Sequence, residues 1–116
     1  MKKHIVGRAV AAALFAAAVS QAISAKADDA VAIDLTLKDH GFSPKESTAP
    51  AGKPLEITVT NMDAAPAEVE SKQLKFEKIV PAGGKISVTV RPLEPGRYKF
   101  YDDYHEDSTV GFVVVQ

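Results

Sequence analysis

From residue 31 to the C-terminus, apolar side chains recur at every second position in short runs. Val31, Ile33, Leu35 and Leu37 share one face of a run; Leu55, Ile57 and Val59 share a face of another; Ile86, Val88 and Val90 do so again. Successive side chains of an extended chain point to opposite sides, so this period specifies strands with one buried face. Glu46 to Ala49, Ala67 to Glu70, Lys75 to Val80, Arg97 to Asp102 and Val110 to Val115 supply further strands. Between the runs stand Gly41 to Pro44, Pro50-Ala51-Gly52, Asn61 to Pro66, Pro81-Ala82-Gly83-Gly84 and Pro92 to Gly96. Proline fixes φ and glycine accepts positive φ, so these segments stop strands and turn the chain. The turns at Pro50-Ala51-Gly52, Pro81-Ala82-Gly83 and Pro95-Gly96 read as hairpin-like. Seven to eight strands, with turn signals at roughly 8–12-residue spacing, specify an all-β sandwich or small barrel.

The N-terminus reads differently. Lys2, Lys3 and Arg8 precede the apolar run Ala9 to Val19, and Ala25-Lys26-Ala27 places small residues where a signal peptidase cuts. This pattern predicts a secretory signal peptide over residues 1–27, cleaved after Ala27, and a periplasmic destination. The run is shorter than the about 20 apolar residues that span a bilayer, so no membrane insertion of the mature chain is expected. Cleavage would remove four basic residues (Lys2, Lys3, Arg8, Lys26) and no acidic one. Residues 28–116 then form one domain with ten basic and fifteen acidic residues, a net charge of −5. That charge argues against nucleic acid and anionic membrane as partners. A small exported domain commonly gains stability from disulfides, but this chain has no cysteine.

The order of motifs resembles the cupredoxin scaffold. The carrying residues are Phe42-Ser43-Pro44, Ala51-Gly52, Asn61, Pro66, Pro81-Ala82-Gly83, and Leu93 to Phe100, followed by His105 and Gly111 to Val115. The resemblance implies a Greek-key β-sandwich. Copper-binding cupredoxins carry Tyr-x-Phe-x-Cys, then a loop with His and Met. This chain keeps Tyr98, Phe100, His105 and Gly111, with Asp102 in place of cysteine and Thr109 near the methionine position. Ala67-Glu68 follows Pro66, where the first copper histidine is expected. A narrower resemblance is to the cupredoxin-like components of bacterial ferrous-iron uptake, the FtrB-type proteins and the N-terminal domain of EfeO-type proteins. It is carried by Ala67 to Ser71, Phe76 to Pro81 and Tyr101-Asp102-Asp103-Tyr104-His105. It implies a copper- or iron-binding module working beside periplasmic or inner-membrane iron-transport components.

A type 1 copper centre needs a thiolate with two imidazoles, so the absence of cysteine excludes one. Carboxylate and imidazole donors suit iron, manganese, zinc or Cu²⁺ instead. Strand parity points Asp102 the same way as Tyr98 and Phe100, into an interior where an acid must be paired or metal-bound. His105, three residues on, is within reach of it. Glu68 and Glu70 flank Val69 and so share a face; they read either as ligands or as a solvated edge. Glu77 shares parity with apolar Ile79 and otherwise reads as a surface partner of Lys75 or Lys78. Asp103, with Glu106 and Asp107, adds negative potential around His105. His40, in Lys38-Asp39-His40-Gly41, reads as a solvated loop histidine, and Met62 alone is weak as a soft ligand. The metal set is thus Glu68, Asp102 and His105, with Glu77, Asp103 and Glu70 as further candidates. Turnover alone separates a ferroxidase from a carrier. The competing reading is a metal-free sandwich that docks a transport partner.

Overall fold

A computed structural model describes residues 29–116; the expected signal peptide lies outside them. Nine strands form: β1 (Val31–Lys38), β2 (Gly41–Ser43), β3 (Glu46–Ala49), β4 (Leu55–Asn61), β5 (Ala67–Ser71), β6 (Phe76–Val80), β7 (Lys85–Val90), β8 (Gly96–Asp102) and β9 (Val110–Val115). The strand beyond the expected seven or eight is β2. It has three residues and begins on a glycine, too short to display alternation, and it exists because it pairs with the end of β1.

The strands divide into two sheets, β2-β1-β4-β7 and β3-β9-β8-β5-β6. Pairing is antiparallel except for β1 with β4 and β3 with β9, which run parallel. The alternating runs meet between the sheets. Leu35, Leu55, Ile57 and Val59 from the first pack against Val69, Phe100 and Val113 from the second, all nearly or fully buried. Residues in this contiguous core exclude water from both inner faces, the main favourable term in folding.

The three Pro/Gly turns expected to be hairpins are arches instead. The chain crosses from one sheet to the other between β3 and β4, between β6 and β7, and between β7 and β8. Turn chemistry reverses the chain in both cases, and only the pairing of the flanking strands separates a hairpin from an arch. Consecutive strands pair at β1–β2, β5–β6 and β8–β9. The β1–β2 connection is Asp39-His40, with positive φ at both residues (51° and 57°), the backbone of a tight hairpin turn that twists with its strands.

One close approach sets the end of the sandwich where the candidate residues gather. The Phe100 ring lies directly on Gly111, where a Cβ would overlap it. Phe42 meets Phe100 edge-on with ring centres 4.8 Å apart, a favourable aromatic geometry. This stack closes the core beneath the β8–β9 loop.

Candidate metal centre

Asp102 is the last residue of β8, opposite Val69 of β5, and is 2% exposed. Its Oδ1 accepts the backbone amides of Glu68 at 3.0 Å and Tyr104 at 3.1 Å. Its Oδ2 lies 3.2 Å from His105 Nδ1. The bond from Tyr104 caps the short 3₁₀ turn Asp103–His105, a role for which aspartate is suited. Burial of this charge is therefore compensated by three donors. The contact to His105 leaves the other ring nitrogen, Nε2, free, the arrangement by which a carboxylate orients a metal-binding histidine.

Glu68, Glu70 and Glu77 occupy the outer face of the second sheet, with Glu70 directly opposite Glu77. Glu68, Glu70 and Asp103 bring one carboxylate oxygen each within 4.8 Å of one another. Like charges placed this close are destabilising, and the local chemistry records it. The Glu68 carboxyl is held above its usual range, first by its hydrogen bond with Glu77, then by desolvation and by the charges of Glu77, Asp103 and Glu70. The Tyr104 hydroxyl is also pushed up, by desolvation and then by the Glu68 charge. Tyr101 is raised by desolvation and by Glu70, Glu106 and Asp103. Among the described residues no lysine comes within ion-pair distance of Glu77. Glu77 and Ile79 do share a face, and it is the exposed one.

The sequence-derived set therefore falls into two groups joined by Asp102. Glu68, Glu70, Glu77 and Asp103 form a carboxylate group; His105 faces the other oxygen of Asp102. Only the backbone of Glu68 reaches Asp102 by a hydrogen bond.

Two residues outside that set complete the imidazole side. The His40 and His105 rings stand with centres 4.4 Å apart, tilted by 42°. Asp63 accepts the amides of Asp39 at 2.6 Å and His40 at 3.0 Å. The His40 amide, together with that of Asp39 and the nearby imidazoles, holds the Asp63 carboxyl below its usual range. Fully buried Asn61 in turn accepts the Asp63 amide and donates to the carbonyls of Ala65 and Val80. Thr109, also fully buried, donates to the His40 carbonyl at 2.7 Å. The expectation of an isolated, solvated His40 is corrected on this point: the ring is half exposed but paired with a second imidazole. The one signal in the sequence was a two-residue turn before Gly41, a geometry that puts both residues at positive φ.

Sheet order, the Phe100–Gly111 stack and this loop arrangement define a class, and comparison with known proteins agrees. The family model described as a cupredoxin-like domain matches residues 9–115, and the chain belongs to that family. An uncharacterized protein of Rickettsia prowazekii is 34% identical over 88 residues, covering 76% of this chain and 70% of its own. The metal-binding domain of the Cu(I)-exporting P-type ATPase CopA from Streptococcus pneumoniae superimposes with a TM-score of 0.69 at 18% identity, over 77% of this chain and 88% of that one. A purple cupredoxin from Nitrosopumilus maritimus gives 0.56 at 23% identity, over 72% and 98%. An amicyanin variant gives 0.58 at 19%, over 72% and 81%. These likenesses establish the cupredoxin fold.

The residues present do not fit the type 1 copper centre of that fold. The chain has no cysteine. Asp102 has both oxygens engaged by donors within the protein, and Pro66 is followed by Ala67-Glu68 and not by a histidine.

Proposed function

We propose that this chain is an exported, periplasmic metal-binding module that assists ferrous-iron uptake, related to the FtrB-type components and the N-terminal domain of EfeO-type proteins. Iron is the cargo, taken by Glu68, Glu70 and Asp103, with Glu77 beside them and Asp102 fixing the Glu68 backbone. The observation that carries this reading is the convergence of three carboxylate oxygens within 4.8 Å, with no ion pair to any of the three among the described residues. Oxygen donors of this kind suit hard cations. They hold Fe³⁺ more tightly than Fe²⁺, so the site would lower the reduction potential of bound iron, which is then handed over to a permease. The Glu68 carboxyl, held above its usual range by its neighbours, must lose any proton it holds in order to ligate, so proton and cation compete for it.

The test is calorimetric titration with Fe³⁺ citrate and with anaerobic Fe²⁺, comparing the native chain with Glu68→Gln/Glu70→Gln/Asp103→Asn. Saturable binding by the native chain and none by the triple variant is the expected result. Equal heats from both proteins would remove iron from this face.

A second reading is supported by the neighbours of Glu68. Ile79 is paired with it in the β-ladder and is 58% exposed, and Tyr104 is 49% exposed. A metal-free adaptor would use this surface to dock a transport partner. In that case iron uptake by cells survives the triple variant and fails with Ile79→Lys.

A further inference from the structure

We propose that His40 and His105 form a second cation site, built from two imidazoles and suited to a borderline divalent ion that prefers nitrogen donors, Cu²⁺ foremost. It shares no residue with the carboxylate trio and does not rest on the iron reading.

The juxtaposition is constructed from both sides. His105 Nδ1 lies 3.2 Å from Asp102 Oδ2, and His40 Nδ1 lies 4.0 Å from Asp63 Oδ2. His105 is thus hydrogen-bonded through Nδ1 to a carboxylate, His40 turns Nδ1 toward one without a hydrogen bond, and Nε2 of both rings has no hydrogen-bond partner among the described residues. The carboxylate bonded to His105 fixes that ring's orientation and raises its ligand basicity. Both side chains reach solvent, at 54% and 40% exposure, so an ion has an entry path.

The backbone holds the rings together. Thr109 binds both partners, its hydroxyl donating to the His40 carbonyl at 2.7 Å and its amide to the His105 carbonyl at 2.9 Å. His40 itself sits at φ 57°, the left-handed region that the two-residue turn requires and that histidine adopts more readily than most residues. Solvent would complete the coordination, because no third His, Cys, Asp or Glu side chain forms a cluster with both rings among the described residues.

The test uses the untagged chain in a His4→Asn background, so that His40 and His105 are the only imidazoles present. The probe is Cu²⁺, followed by calorimetry and by electron paramagnetic resonance. One bound ion coupled to two imidazole nitrogens is expected. His40→Asn, which tolerates positive φ and so preserves the fold, should leave one coupled nitrogen and weaken binding on the order of tenfold or more. His105→Gln should do the same. Glu68→Gln/Glu70→Gln/Asp103→Asn should leave the two-nitrogen signal intact. An unchanged spectrum and affinity in His40→Asn overturns the proposal. So does loss of Cu²⁺ in the carboxylate triple variant. Iron binding that fails while this signal persists counts against the carboxylate reading alone.

Discussion

Asp102 and Glu68 are joined by one hydrogen bond and have opposite surroundings. Asp102 is buried and has a donor at every oxygen. Glu68 is half-buried among other carboxylates, and they hold its carboxyl above the usual glutamate range. The contrast extends to the two sides of the site. On the imidazole side Asp63 and Asp102 are supplied with backbone amides, and each stands behind a histidine. On the carboxylate side Glu70 faces Glu77 across the strands, with Asp103 close by. Satisfied acids hold a structure; crowded acids store repulsion that a cation relieves. Chemically identical groups thus divide between scaffold and binding by the donors their backbone neighbours supply.

The sharpest way to break this contrast is Asp102→Ala. It strands two amides in a buried setting and removes the partner of His105, and should cost roughly 3 kcal/mol of stability in urea unfolding. Asp102→Asn keeps an acceptor for both amides and should cost about 1 kcal/mol. The opposite is expected of Glu68→Gln/Glu70→Gln/Asp103→Asn: without metal it should unfold no earlier than the native chain. With Fe³⁺, the cargo proposed for the carboxylates, at about a hundredfold over its dissociation constant, the native chain should gain roughly 2.7 kcal/mol, and the triple variant nothing.

The pH dependence should separate the sides by sign. Glu68 keeps its proton to higher pH folded than unfolded. The cation-free fold therefore loses stability as pH rises from the ordinary glutamate range through the raised value of Glu68. Glu68→Gln should abolish that loss, and cation affinity of the native chain should fall as pH drops and Glu68 is protonated. Asp63 is lowered, so its contribution is complete above the ordinary aspartate range and disappears as pH falls through its own value. Asp63→Asn should flatten that acid limb in a urea-versus-pH series, the smallest of these effects.

The sandwich was legible because alternation alone places Leu35, Ile57 and Val88 on buried faces, and the same parity turns Asp102 inward. It also placed Glu68 and Glu70 together, since two positions apart on one strand always share a side. What parity cannot carry is proximity between loops. His40 and Thr109 are 69 residues apart, and only sheet order brings the β1–β2 turn to the β8–β9 loop. The arches were misjudged for a related reason: Pro81-Ala82-Gly83 encodes a reversal, while the choice of sheet belongs to β7, which finds its partner in β4. The β2 strand was missed because three residues beginning on Gly41 hold no periodic signal.

The tie from Thr109 to His40 also sets an order of assembly. Strand β9 follows Thr109 directly and lies between β3 and β8 in the second sheet. A chain that has not yet delivered its last few residues has β3 without its neighbour, Phe100 without Gly111 beneath it, and the β1–β2 turn without its anchor. Neither histidine is then held against the other. Completion of the fold and completion of the paired imidazoles are one event, so a nascent or truncated chain offers a metal only scattered side chains. The proposed imidazole pair is therefore complete only in a chain whose C-terminal strand is in place.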